Sequence, residues 1–136
     1  MQIGELAKQS GCQVETVRYY ERLGLLPRPA RTAGNYRVYD EEQLERLRFI
    51  RNCRAIDMNL DDVRRLLYFR DRPELGCLEI SELLDTHIER LDEQVREMVR
   101  LQRYLRDLRT CCDSPRTAGD CGILAALDST EGQSGT

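Results

Sequence analysis

Apolar residues near the N-terminus recur at helical spacing in two short segments. They are Ile3, Leu6 and Ala7 in the first segment and Val14 and Val17 in the second. Spacings of three and four residues predict amphipathic helices, and Ser10-Gly11 between the segments predicts a tight turn, so a helix-turn-helix is expected. The second helix, from about Gln13 to Leu23, leaves outer faces able to reach phosphates and base edges. The residues on these faces are Glu15, Thr16, Arg18, Tyr19 and Arg22.

Turn formers and then strand formers follow the second helix. Pro27, Pro29 and Gly34-Asn35 favour turns, and the run Tyr36-Arg37-Val38-Tyr39 is rich in residues that prefer strands. This order predicts a short β-hairpin, the wing of a winged helix-turn-helix.

Two further helices are expected after the wing. Asp40 can cap the first, with Gln43 at the matching third position. Asn59 can cap the second, with Asp62 in the same relation. Their apolar stripes are Leu44, Leu47, Ile50 and Cys53 in the first and Leu60, Val63, Leu66 and Leu67 in the second. Residues 1–70 are therefore expected to form one small winged helical domain.

The pattern changes after residue 70. Residues 71–76 contain Pro73 and Gly76 and predict a linker, whereas residues 77–111 contain neither residue type and predict one long helix. This helix would be about 50 Å long at 1.5 Å per residue, too long to lie on so small a domain, so we expect it to pair with its copy in a second chain. Its apolar residues follow a heptad seam, typical of a coiled coil. They are Leu84, Ile88, Leu91, Val95, Met98 and Leu105.

The C-terminal part is expected to be irregular. Residues 112–127 predict a loop followed by a short helix, and residues 128–136, rich in Ser, Gly and Thr, predict a disordered tail. The fold class is therefore mainly α: a winged helix-turn-helix, a long dimerisation helix and a C-terminal loop.

The charge is unevenly divided along the chain. The formal net charge is −3, but residues 1–72 carry 14 basic and 11 acidic residues, whereas residues 73–136 carry 7 and 13. Between Arg18 and Arg37, five arginines accompany a single acid, Glu21. That basic stretch indicates contact with the phosphates of nucleic acid.

Six cysteines suggest metal or redox chemistry. The N-terminus lacks a secretory signal and no apolar run is long enough to span a membrane, so we expect a cytoplasmic protein without membrane contact. In a reducing compartment, clustered cysteines serve metals or redox reactions more often than disulfides. No histidine lies near the cysteine group to act as a base, so we do not expect an enzyme.

Several motifs together resemble the MerR family of transcriptional regulators over nearly the whole chain. They are Ile3-Gly4-Glu5-Leu6-Ala7, Val17-Arg18-Tyr19-Tyr20-Glu21, Gly24-Leu25-Leu26, Asn35-Tyr36-Arg37-Val38-Tyr39 and the long helix that ends in a cysteine loop. Residues 51–58 and 83–88, with Cys121-Gly122-Ile123-Leu124, are similar to the lead- and cadmium-responsive branch of that family.

The resemblance implies a homodimer with an antiparallel coiled coil, bound to double-stranded promoter DNA. The metal-bound form would bend and underwind the promoter spacer, so that RNA polymerase, an indirect partner, can engage both promoter elements. The implied DNA contacts lie on the recognition helix, on the wing and beyond it. They are Thr16, Arg18 and Tyr20, then Arg31, Tyr36 and Arg37, and finally Arg54.

Three cysteines are the expected metal ligands. Cys77 and Cys112 lie at opposite ends of one helix and cannot share an ion within one chain, but an antiparallel dimer brings the start of one helix beside the end of the other. Cys121 can fold back to the same place, and the family pattern likewise takes one ligand from the first chain and two from the second. Cys111 is an alternative fourth ligand, although we expect it to point elsewhere.

Three thiolates favour a soft divalent metal ion over Mg²⁺ or Ca²⁺. In the family, copper sensors resemble this loop but carry serine at the position of Cys77, so Cys77 favours a divalent ion. Mercury sensors share the three-cysteine spacing. Pb(II) is the first expectation, with Cd(II), Hg(II) and Zn(II) as alternatives, and the expected function is activation of metal-resistance genes.

Two other functions remain open at this point. One is a MerR-type regulator that senses another metal or a thiol oxidant. The other is a zinc-stabilised coiled-coil interaction module without a DNA role, against which the basic, aromatic segment 18–37 argues.

Overall fold

The computed structural model describes residues 1–34 and 37–129 and is mainly helical. Tyr36 and residues 130–136 of the predicted tail lie outside the described residues. The helices are α1 (Ile3–Ser10), α2 (Val14–Arg22), α3 (Glu41–Ala55), α4 (Leu60–Arg70), α5 (Leu78–Thr110) and α6 (Gly122–Leu127), with a 3-10 turn at Ala118–Asp120, and the strands are β1 (Ala30–Arg31) and β2 (Arg37–Val38).

The chain divides into two compact units, Met1–Leu84 and Asp85–Thr136. The core of the first unit is formed by α1 to α4 and includes Leu83 from the start of α5. Its fully buried side chains include Leu6, Val17, Leu25, Leu44, Leu47, Ile50 and Val63. The first turns of α5 pack with the first unit, which extends to Leu84. The expected domain limits at residues 70, 76, 111 and 127 stay predictions.

The predicted helix boundaries have clear local causes. Gly11 ends α1 in the left-handed region, with φ 73°, and its N–H bonds back into the helix. This geometry makes the tight turn of the helix-turn-helix. The capping box of Asp40 and Gln43 is present at α3, and the Asn59 side chain accepts from the Asp62 backbone N–H at α4. The predictions for both caps are confirmed.

The wing is a short antiparallel hairpin. Ala30 pairs with Val38 and Arg31 with Arg37. The chain terminus holds the second strand in place, because the Tyr39 N–H donates to the Met1 carbonyl (2.7 Å) and the Met1 amino group donates to the Tyr39 carbonyl (2.8 Å). The predicted wing is confirmed.

The predicted long helix is also confirmed, as α5 with 33 residues. Much of its heptad seam is exposed in the single chain, with Met98 68% and Val95 60% accessible. Among the described residues, no helix combines the length and apolarity needed to cross a bilayer.

Candidate functional site

The recognition helix α2 presents a basic outer face. Arg18 is exposed and forms an ion pair with Glu15 on the same helix (3.3 Å). Thr16 is half-buried, and Tyr19 is exposed with the Arg22 guanidinium over its ring. An exposed ion pair of this kind is weak. Arg18 is therefore able to exchange Glu15 for a phosphate at small cost.

Tyr20 lies differently from the other expected DNA-contacting residues. It is only 7% exposed and belongs to the hydrophobic core. Burial raises the pKa of Tyr20, and the charge of the Arg54 guanidinium, which also hydrogen-bonds to the tyrosine, opposes part of that shift. Arg54 itself also donates to the Met58 carbonyl at 2.7 Å. The Tyr20 ring is thus a packing group. The expected DNA contact of Tyr20 is confined to its hydroxyl, and this contact stays a prediction.

The wing and the recognition helix are joined by a buried carboxylate. Glu21, 8% exposed, accepts a hydrogen bond from the Tyr39 hydroxyl and forms an ion pair with Arg37 (Nη1 to Oε2, 3.3 Å). Burial and the Glu21 hydrogen bond raise the pKa of Tyr39 to about 12, so the hydroxyl stays a donor. Arg37 was predicted from the sequence, but the role of Glu21 was not. The feature that could have indicated Glu21 is its position as the lone acid among five arginines.

Four arginines and Glu21 line a cavity of about 190 Å³ on this face. The arginines are Arg18, Arg22, Arg28 and Arg37. Guanidinium groups are planar multiple donors suited to phosphate oxygens. The arrangement can therefore bind the backbone of a nucleic acid beside the recognition helix.

Two cysteines of the first unit are packing groups. Cys53 is 6% exposed, and burial raises its pKa, which keeps it a neutral thiol. Cys12 is half-buried against the same core. The environment of Cys53 does not favour a metal-binding thiolate.

The remaining cysteines lie at the two ends of α5. Cys77 immediately precedes the helix and is exposed, whereas Cys111 and Cys112 immediately follow it. The Cys112 thiol donates to the Ser114 carbonyl (3.4 Å), and it lies close enough to Cys121 to influence the Cys121 thiol, as expected if the loop folds back. The pKa of Cys121 is lowered, mainly because the backbone N–H groups of Leu124 and Ile123 donate hydrogen bonds to its sulfur. The Cys112 side chain makes a smaller contribution in the same direction. A lowered pKa favours the thiolate, which is the form that binds metal.

The loop closes tightly against the end of α5. A Cβ at Gly122 would lie 2.1 Å from the Cys111 carbonyl oxygen, closer than real Cβ atoms approach. The Arg109 guanidinium donates to the Cys112 carbonyl at 2.6 Å, which fixes the turn from the other side. Cys111 is exposed, and its thiol donates back to the Asp107 carbonyl (3.5 Å), so it remains only an alternative ligand.

The part of one chain that the structure describes lacks a complete metal centre. Within residues 1–34 and 37–129, no group of three His, Cys, Asp or Glu side chains is arranged to hold an ion. Cys112 and Cys121 supply two thiols at one place, so a three-thiolate site needs a further ligand.

An apolar groove of about 530 Å³ runs along α5 in the second unit. It is lined by Leu91, Gln94, Val95, Met98, Val99, Leu101, Gln102 and Leu105. Apolar residues at this spacing are normally covered by another helix in a soluble coiled coil.

Two family models match the chain. One is described as MerR HTH family regulatory protein and matches residues 1–69, and the other is described as MerR, DNA binding and matches residues 44–108. Among known relatives, the HTH-type transcriptional regulator ZntR homolog of Haemophilus influenzae is 46% identical over 80% of this chain and 81% of its own length.

Solved structures match over almost the full length. The transcription regulator PbrR691 from Ralstonia metallidurans CH34, in complex with lead(II), is 57% identical with a TM-score of 0.85, over 93% of this chain and 98% of that one. The regulator MerR of Bacillus megaterium MB1, in complex with mercury(II), is 32% identical with a TM-score of 0.70, over 95% of this chain and 100% of that one. The proteins matched here are transcriptional regulators rather than enzymes.

Proposed function

Since this chain belongs to the MerR family of helix-turn-helix regulatory proteins, we propose that it is a homodimer that activates metal-resistance genes when a soft divalent ion binds. The ion is held by Cys77 of one chain and by Cys112 and Cys121 of the other, giving two equivalent sites. The carrying observation is the separation of these cysteines by one continuous helix, with Cys77 before α5 and the other two after it.

The head of each protomer binds promoter DNA. Thr16 and Arg18 on α2 contact the major groove and its phosphates. The ring of Tyr20 stays in the protein core, and its hydroxyl contacts the DNA backbone. Arg31, Tyr36 and Arg37 of the wing and Arg54 at the end of α3 contact flanking phosphates. The basic cavity between α2 and the wing supports this assignment, because phosphate contacts supply most sequence-independent affinity.

The two α5 helices form an antiparallel coiled coil. The exposed seam of Val95, Met98 and Leu105 supports this pairing, since covering such a surface is the ordinary source of coiled-coil stability. An antiparallel pair brings Cys77 of one chain to the Cys112–Cys121 loop of the other. A dimer of this kind completes the ligand set that one chain lacks.

Lead(II) is the ion that we propose for this site. The relative whose structure contains lead(II) shares 57% of its aligned residues with this chain. A three-thiolate set also suits soft cations better than oxygen-preferring ones. Hg(II) is the second candidate, because a 32% identical structure contains it, and Cd(II) and Zn(II) follow.

The bound ion acts on DNA shape. It fixes the dimer in a form that bends and unwinds the promoter spacer, and RNA polymerase responds to the changed DNA without being recruited by the protein. The protein acts in the cytoplasm, where promoter DNA and reduced thiols are both available.

Subunit mixing tests the shared site. The Cys77→Ser and Cys112→Ser homodimers should each bind lead(II) weakly, because every site lacks one thiolate. Their heterodimer should regain one intact site and bind about one ion per dimer. Recovery in the mixed dimer, measured by the thiolate-to-metal absorption band, supports a site shared between chains. No recovery on mixing rejects it.

Two further titrations complete the test. Cys111→Ser removes a neighbouring exposed thiol, and lead(II) affinity should be retained if three ligands suffice. Competition among lead(II), cadmium(II), mercury(II) and zinc(II) in excess thiol buffer then ranks the metals. Zinc(II) binding tighter than lead(II) would overturn the metal assignment while leaving the shared site intact.

A further inference from the structure

We propose that Glu21 is a positioning residue for DNA recognition, holding Arg37 of the wing against the recognition helix. The proposal rests on the DNA-binding function proposed above. An acidic side chain repels DNA at long range. In this proposal, the same side chain aligns two basic elements at short range.

The geometry places Glu21 at the junction of two elements. It belongs to α2, while Arg37 and Tyr39 lie at and just after β2, 16 and 18 residues further along the chain. One carboxylate oxygen accepts from Tyr39, and the other lies 3.3 Å from the Arg37 guanidinium. The carboxylate therefore links the recognition helix to the wing by two side-chain interactions.

Burial makes these interactions more than a surface ion pair. The Glu21 side chain is 5% exposed, and Tyr39 is 1% exposed, whereas the Arg37 side chain keeps 42% exposure. A charge-assisted hydrogen bond is stronger where solvent is excluded. Arg37 is thus anchored at one side and still open to a ligand at the other.

The charge balance gives a second reason for an acid at this position. Arg18, Arg22, Arg28 and Arg37 line one cavity and repel one another, and Glu21 is the acid that lines it with them. A carboxylate among guanidinium groups lowers this repulsion. It allows the arginines to converge before a phosphate arrives, which is preorganisation of the binding surface.

The effect of neutralising Glu21 separates positioning from simple electrostatics. Removing one negative charge from a DNA-binding surface should strengthen binding if only the overall field matters. If Glu21 instead positions Arg37, Glu21→Gln should weaken binding roughly tenfold, about the value of one charge-assisted hydrogen bond. The two explanations predict changes of opposite sign.

The experiment uses the full-length protein and a duplex that it selects from a random-sequence library. Affinity is measured by fluorescence anisotropy between about 50 and 200 mM salt, because the slope of log affinity against log salt counts phosphate contacts. Glu21→Gln should make this slope shallower by about 0.9 for each bound head. The control is Glu45→Gln, which removes the same charge from an exposed position on α3 and should bind as tightly as the wild type or more so.

A double-mutant cycle with Arg37→Ala tests whether Glu21 acts through Arg37. The effect of Glu21→Gln should disappear in the Arg37→Ala background. Equal effects in both backgrounds, or an affinity gain like that of Glu45→Gln, would overturn the proposal.

Thermal unfolding monitors the fold of each variant. If Glu21→Gln does not fold, Tyr39→Phe carries the same test, because it keeps the buried ring and removes only the hydroxyl that orients the carboxylate. It should give a smaller change of the same sign, and an unchanged slope would reject the proposal. Failure of the wild type to select any duplex would instead reject the proposed DNA-binding function.

Discussion

Gly122 is the residue that lets the cysteine loop return to the end of α5. Its Cα faces the Cys111 backbone so closely that an added Cβ would meet the carbonyl oxygen at 2.1 Å and the carbonyl carbon at 3.0 Å. These are backbone atoms, so they cannot move aside as a flexible side chain would. A side chain at this position would therefore force the backbone beside Cys121 and the end of α5 at Cys111 apart.

Gly122→Ala should therefore weaken metal binding. We expect a loss of roughly tenfold in lead(II) affinity, the lower end of the range for residues that support metal ligands. Competitive titration against a thiol chelator measures it. The matched control is Gly119→Ala, where a Cβ would meet only the Thr117 hydroxyl at 3.9 Å, an ordinary contact. Equal affinity for both variants would show that the loop tolerates the displacement.

Single residues were predictable from the sequence where their role is local. Asp40 and Asn59 cap helices through the third following residue, so a short motif predicts them. Gly122 and Glu21 were not predicted as positioning residues, because their contacts lie 11 or more residues away and depend on how the chain folds back. Burial of Tyr20 was missed for the same reason, since the core that covers it comes from several helices.

At the scale of elements, α5 was the most predictable part of the chain. The absence of Pro and Gly predicted a helix over residues 77–111, and the helix spans Leu78–Thr110. The wing was less predictable, because the strand formers at 36–39 indicate strand preference but not how many residues pair. Among the described residues, Ala30 pairs with Val38 and Arg31 with Arg37.

The apolar seam of α5 predicts how the proposed dimer can be broken. Met98→Glu would place a charge in the middle of the proposed helix pair, where burying it without a partner is costly. We expect dissociation to monomers at micromolar concentration and loss of metal binding, because each site needs both chains. Sedimentation velocity measures the first effect, and metal titration measures the second.

Arg103→Glu is the control for that substitution. It introduces the same residue five positions along, roughly 140° around the helix from Met98, at an exposed position outside the apolar groove. This variant should remain a dimer. If Met98→Glu also remains a dimer, the α5 seam is not the pairing surface.

At the scale of the whole molecule, the proposed metal site could be placed on the sequence but not assembled from it. The spacing of Cys77, Cys112 and Cys121 around one helix was readable directly, and within the described residues no three-ligand group forms. The proposed site also requires a particular arrangement of two chains, which depends on surfaces rather than on local pattern. The identity of the metal is less predictable still, because soft ions share the same thiolate ligands.

Metal should change the shape of bound DNA far more than the affinity for it. Bending or unwinding a promoter costs about 1–6 kcal/mol, which extra contacts in the metal-bound dimer must offset if the complex is to persist. We therefore expect lead(II) to change DNA affinity by less than roughly fivefold, below the usual range of coupling between two ligands. Linkage then requires that free and DNA-bound protein bind lead(II) almost equally well.

Topoisomerase relaxation of a plasmid that carries the selected site measures the change in linking number, to which unwinding and bending both contribute. Lead(II) should alter the linking number of the complex with the wild type. Cys77→Ser is the control, because it keeps both DNA-binding heads and should bind the plasmid without a metal-dependent change. If lead(II) instead switches DNA binding on or off by a hundredfold, the ion controls occupancy, and activation by distortion is wrong. The linking-number measurement decides between control of occupancy and activation by distortion, because only distortion changes DNA shape at constant occupancy.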